Sequence, residues 1–159
     1  MSRIFKIVGG ILGIVALFMM FLPQVSVHWV SDPVETIGLK ALVGGEFVNG
    51  NDIFGAGSGL AGYILAGVGG LLLLVVSFVP FFKEHDVLKY IVTGIAVVCL
   101  IIAIIMIFLI RKSFDDLNAI SAVKDGAVVF VGAGAMVGGS LAALSCGTGL
   151  LGFILDFAE

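Results

Sequence analysis

Two stretches carry the spacing of a dinucleotide loop: Gly57-Gly59-Gly62 and Gly147-Gly149-Gly152 both read Gly-x-Gly-x-x-Gly. That chemistry needs a strand before the glycines and a soluble helix after them, so that backbone amides cradle a pyrophosphate. Both matches instead fall in uncharged apolar runs, where small residues serve helix packing, so no nucleotide is expected. Glu84-His85-Asp86 sets three ligand types side by side. Consecutive side chains do not converge easily on one ion, and a solvated turn with Asp86 capping the next helix explains them better. The acids Asp32, Glu35, Glu46, Asp52, Asp115, Asp116 and Asp125 collect in loops without the spacing of a calcium site. His28 has no second His or Cys in its loop, and Trp29 beside it reads as an interfacial anchor. His28 and Trp29 are also the candidate outer-surface partner contact. No triad, phosphate-loop or metal spacing is found, so the sequence predicts no catalytic residue, no cofactor and no metal.

Composition explains why such sites are missing. Of 159 residues 60% are apolar and 12% charged, with 23 glycines. A soluble domain carries about a quarter charged residues, so this is the composition of an integral membrane protein. The formal net charge of −3 and the lack of any Lys/Arg run argue against a nucleic-acid partner. Cys99 and Cys146 both lie within apolar stretches and read as free thiols, not as a loop disulfide.

Four apolar runs are long enough to span a bilayer, which takes about 20 residues at 1.5 Å each. The first helix, residues 4–22, has its apolar run over 7–22, preceded by Arg3 and Lys6 like the basic flank of a signal peptide. No small-x-small cleavage pattern follows Leu22, so it is expected to be retained as a helix, stopped by Pro23. Val25, Val27 and Trp29 then alternate with Ser26 and His28, the period of a strand. In the rest of the loop over 23–55, Gly44-Gly45 separates residues 41–43 from 46–48 at hairpin spacing, and Asn49-Gly50 offers a second turn. Helix two, 56–82, carries a row of small residues at Ser58, Gly62, Ala66 and Gly70. The short connector at Lys83-Glu84-His85 makes helices two and three antiparallel neighbours.

Helix three is expected over 87–124. Beyond residue 110 apolar Phe114, Leu117, Ile120 and Val123 recur every three or four residues, so this part projects from the membrane as an amphipathic extension. Within the second outer loop, 111–129, residues 127–130 are β-prone. Helix four, 130–155, bears two rows of small residues four apart: Gly134, Gly138, Ala142, Cys146 and Ala135, Gly139, Ala143, Gly147. Such a strip lets another helix come close, and the row on helix two is expected opposite it. The fold class is therefore all-α membrane: one domain over 1–159, a bundle of four transmembrane helices with a small extracellular antiparallel β-sheet built from the two outer loops.

Residues 7–22, 56–82, 90–110 and 126–155 contain no Asp, Glu, Lys, Arg or His. Pumps and coupled carriers keep ionisable groups at depth, so neither is expected. Basic residues crowd the short flanks at Arg3, Lys6, Lys83 and Lys89, while Lys40, Arg111, Lys112 and Lys124 spread through longer loops. That density places both termini in the cytoplasm, in a multi-pass protein of the cell membrane.

The whole arrangement resembles the claudin-like tetraspan plan: four helices, a long β-prone first loop with Trp29, a projecting third helix and a strand before the fourth. The segments Leu22-Pro23-Gln24-Val25-Ser26-Val27 and Asp52-Ile53-Phe54-Gly55 are also similar to a pattern in small uncharacterised bacterial tetraspan proteins. The claudin-like resemblance implies a bundle under an extracellular sheet, with lateral self-assembly as one use. The expected function is non-enzymatic: a structural or interaction subunit whose partners are membrane lipids and a second copy or another membrane protein. The alternative is a passive channel or carrier for a neutral or lipidic substrate, lined by hydroxyls such as Ser140 and Ser145.

Overall fold

The computed structural model describes residues 1–28, 35–46, 52–53, 55–118 and 128–158. In chain order these form α1 (Ser2–Phe18) with a 3-10 turn at Met19–Phe21, β1 (Val25–His28), β2 (Glu35–Ile37), α2 (Lys40–Val43), β3 (Gly45–Glu46) and β4 (Asp52–Ile53). Next come α3 (Gly57–Phe78), α4 (Phe81–Glu84), α5 (Asp86–Phe108), α6 (Ile110–Asn118), β5 (Val128–Val131) and α7 (Ala133–Ala158). The helices α1 with its 3-10 turn, α3, α5 and α7 are each long and apolar enough to cross a membrane.

These four form a ring in which α1 and α5 each pack against both α3 and α7. Helices α3 and α7 stand on the diagonal and barely touch, so the small-residue row of α3 does not lie opposite the strip of α7. The glycines of α3 explain the arrangement. A Cβ at Gly62 would come within 2.8 Å of Met106 on α5, and one at Gly69 within 2.9 Å of Leu100. A Cβ at Gly70 would meet Gly13 of α1 at 3.0 Å, and one at Gly67 would meet Leu17 at 2.8 Å. Small residues point both ways round the helix, so α3 is gripped from two sides; 50% of its apolar window is buried, against 28–33% for the other three. Packing through small residues is how helices associate where lipid removes the hydrophobic drive between them.

A three-stranded antiparallel sheet in the order β2-β1-β5 caps the end of the bundle away from the chain termini. Val25 pairs with Ile37 on one side and Val131 on the other, and Val27 pairs with Val129. Val25, Val27, Ile37 and Val129 are all buried, so the alternation in the sequence marks the inner face. The third strand supplies what an isolated hairpin lacks.

Several boundaries differ from the sequence reading. Residues 41–43 lie in helix α2, not in a strand, and the two-stranded hairpin is β3 with β4. Gly44 takes φ 87° and its amide donates to the Lys40 carbonyl at 2.8 Å, so the glycine pair stops a helical turn. The turn at Asn49-Gly50 lies outside the described residues. Helix α3 stops at Phe78 because Pro80 holds Val79 extended at φ −78°, ψ 120°. The third helix is divided at Leu109 and is described to Asn118; Ile120, Val123 and Lys124 lie outside the described residues. Helix α7 begins at Ala133, not at 130, because Val131 stays in the sheet and the Gly132 amide donates to the Gln24 carbonyl at 2.8 Å. A side chain at Gly132 would run into the Pro23 and Gln24 backbone.

Candidate functional site

Apart from Ser145 in the middle of α7, the buried polar side chains among the described residues gather at the two ends of the bundle. At the sheet end, Gln24 and Tyr63 are both fully buried. Pro23 ends the first helix and Gln24 follows it into the core, where its Nε2 donates to the Met19 and Leu22 carbonyls at 2.8 Å each. The Tyr63 hydroxyl, on α3, donates to Gln24 Oε1 at 2.7 Å and lies 3.0 Å from the Gly134 carbonyl of α7. The Gln24 backbone completes the knot, donating to Ile37 and accepting from Gly132, both at 2.8 Å. One glutamine thus joins α1, the sheet and, through Tyr63, the diagonal pair α3 and α7. No charge is involved.

At the termini end the cluster is ionic. Asp156 of α7 accepts from the Ser2 hydroxyl through Oδ1 and pairs with the Lys6 ammonium through Oδ2. Lys89 of α5 stands 3.7 Å from Oδ1 and 3.5 Å from Asp86. Ser2, Lys6 and Asp156 are 7%, 2% and 9% exposed. Ser2 and Lys6 are one turn apart on α1, as Gly152 and Asp156 are on α7. A Cβ at Gly152 would lie 2.7 Å from Lys6 Cγ, so the glycine makes the slot through which the lysine stem reaches the acid. Tyr90 donates to the Asp156 carbonyl at 3.1 Å and stacks on Phe157 at 4.4 Å, closing the same end from α5.

Sequence reasoning treated Lys6 and Lys89 as flanking charges and passed over Ser2, Gln24, Tyr63 and Asp156. A signal existed: Ser2 and Lys6 continue the spacing of Gly9, Gly13 and Ala16, and Asp156 continues that of Ser145, Gly149 and Gly152. All of these are buried on their helices. A charge in step with a buried stripe asks for a partner in step on the facing helix.

The small residues singled out in the sequence divide between contacts and open faces. Ser58 donates to Ser113 of α6 at 3.1 Å. Gly62 faces α5, while Ala66 and Gly70 face α1. Gly134 lies by Gln24 and Pro23, Gly138 under the Tyr63 ring and Gly139 under Phe108; Ala135, Ala142 and Cys146 are buried. Ala143 and Gly147 are exposed, with nothing within 4 Å of where a Gly147 Cβ would be. The hydroxyls do not gather on one path. Ser140 is exposed and donates to Met136 at 2.8 Å, whereas Ser145 is buried and donates across to Gly9 of α1 at 2.6 Å.

His28 is exposed at the sheet rim with its ring edge-on to Phe130 at 4.8 Å. Trp29 lies outside the described residues. Asp86 does not cap α5, whose N-cap is His85 without a side-chain cap bond. Its carboxylate pairs with Lys89, and His85 stacks on Phe81 at 4.4 Å. Among the described residues no group of three His, Cys, Asp or Glu side chains is placed to hold a metal ion. No protein-family model matches the chain, nor does any curated protein or solved structure.

Proposed function

We propose that the chain is a multi-pass membrane protein, non-enzymatic, that works as a structural or interaction subunit and self-associates or joins a larger membrane complex. The observation that carries this reading is the outer face of α7. Ser140, Ala143 and Gly147 are exposed small residues that form a notch between Met136, 57% exposed, and Leu151, 49% exposed, with Leu144, 58% exposed, alongside it. The outer face of α3 carries Ile64, Val68, Leu71 and Val75 in its place. A notch of small residues suits a second helix better than it suits acyl chains. The claudin-like arrangement of helices and loops supports the same reading, with lateral assembly and an extracellular sheet. The chain ends, joined through Ser2 and Asp156, then lie in the cytoplasm beneath a cell membrane.

The passive channel or carrier has less in its favour, since the Ser140 and Ser145 hydroxyls already donate to backbone carbonyls on different faces. Mass measurement after extraction in mild detergent tests the proposal. It predicts a multiple of the chain mass or a co-purifying membrane protein; a strict monomer alone would count against it.

A further inference from the structure

The short helix α2 lies where two spanning helices have their ends. On one side, a Cβ at Gly38 would be 3.7 Å from the carbonyls of Phe21 and Leu22, the last residues of the first span. On the other, the Ala56 amide donates to the Ala41 carbonyl at 2.8 Å, and a Cβ at Gly59 would be 2.9 Å from Leu42. Ala41 and Leu42 are buried, and these contacts hold α2 against the start of α3, with Gly38 just before it beside the end of the first span. Leu39 and Val43, one helical turn apart, point the other way and are 38% and 63% exposed. Phe21 and Leu22, whose carbonyls lie by Gly38, are 58% and 41% exposed, so the first span ends in exposed apolar side chains next to the glycine that leads into Leu39.

We infer that Leu39 and Val43 dip into the acyl-chain border of the bilayer, making α2 an interfacial anchor whose partner is the lipid surface. The inference rests on the multi-pass reading above. A short segment with one face held by protein and the other apolar gains from lying in the interface plane, and its attachment to the start of α3 would set how deep the sheet sits.

Fluorescence of an introduced tryptophan tests it. Trp29, the one tryptophan of the chain, is replaced by Phe, and Val43→Trp or Leu71→Trp is added in phosphatidylcholine vesicles. For Val43→Trp the expected result is blue-shifted emission, stronger quenching by lipid brominated near the head group than by lipid brominated deep in the chain, and protection from iodide. Quenching by iodide without quenching by brominated lipid would overturn the inference. Protection from both would also overturn it, assigning the face to a second copy or another protein. Leu71→Trp, on the outer face of α3, separates the two levels. Deep quenching there with none at position 43 overturns the anchor alone, whereas no lipid quenching at either site overturns the multi-pass reading as well.

Discussion

The two ends of the bundle solve the same problem with different chemistry. At the sheet end Gln24 and Tyr63 tie the helices together with neutral hydrogen bonds, several of them to backbone carbonyls. At the termini end Asp156 meets two ammonium groups and a hydroxyl. Removing one neutral group leaves an unpaired dipole, whereas removing one member of a buried ion pair leaves an uncompensated charge. The ionic end is therefore the more fragile to single substitutions, although its net contribution to stability need not be larger. What it adds is registry: Ser2 and Lys6 find Asp156 only when α1 and α7 are in step.

The largest effect is expected at that end. Asp156→Asn should cost about 3–5 kcal/mol, because Lys6 stays buried without its counter-ion. Reversible unfolding in mixed detergent micelles would measure it. Combining Lys6→Met with Asp156→Leu should recover most of the loss; a double variant as unstable as the single one would contradict the comparison. Next comes the middle of the α7 strip, where Gly138→Leu or Gly139→Leu should destabilise by about 1–3 kcal/mol or more through overpacking. An added Cβ would already stand 2.6 Å from the Tyr63 ring or 2.8 Å from Phe108. Tyr63→Phe, at the neutral end, should cost on the order of 1 kcal/mol, since Gln24 Oε1 and the Gly134 carbonyl lose one shared donor. A loss equal to that of Asp156→Asn would erase the distinction between the ends. Smallest in folding terms is Gly147→Leu, within about 0.5 kcal/mol because its surroundings are open. The same variant should disperse any assembly made through α7, seen as a fall in particle mass.

The four long apolar helices and the inner face of the sheet were legible because apolar length and alternation are local signals. Val25 and Val27 are buried as their period of two requires, and the strand before the last helix lies at Val128–Val131. The ring order was not legible. Small residues on α3 mark two faces at once, and a row four apart does not say which neighbour each glycine meets. Helix α2 was missed because Gly44-Gly45 stops a helical turn as readily as it turns a hairpin, and the choice depends on the Ala41 carbonyl meeting Ala56. The ionic cluster was overlooked for a related reason. Lys6 and Asp156 lie 150 residues apart in sequence, and a lysine near a helix start reads as a solvated flank until its partner is in place.

The central claim is that the α7 notch meets another protein, and a photoreactive residue at position 147 tests it most directly. Irradiation in native membranes should give a protein adduct, with a second copy of the chain or with another membrane protein. The same group at position 71 on α3 should label lipid alone. Lipid adducts at both positions, with no protein captured at 147, would contradict the account.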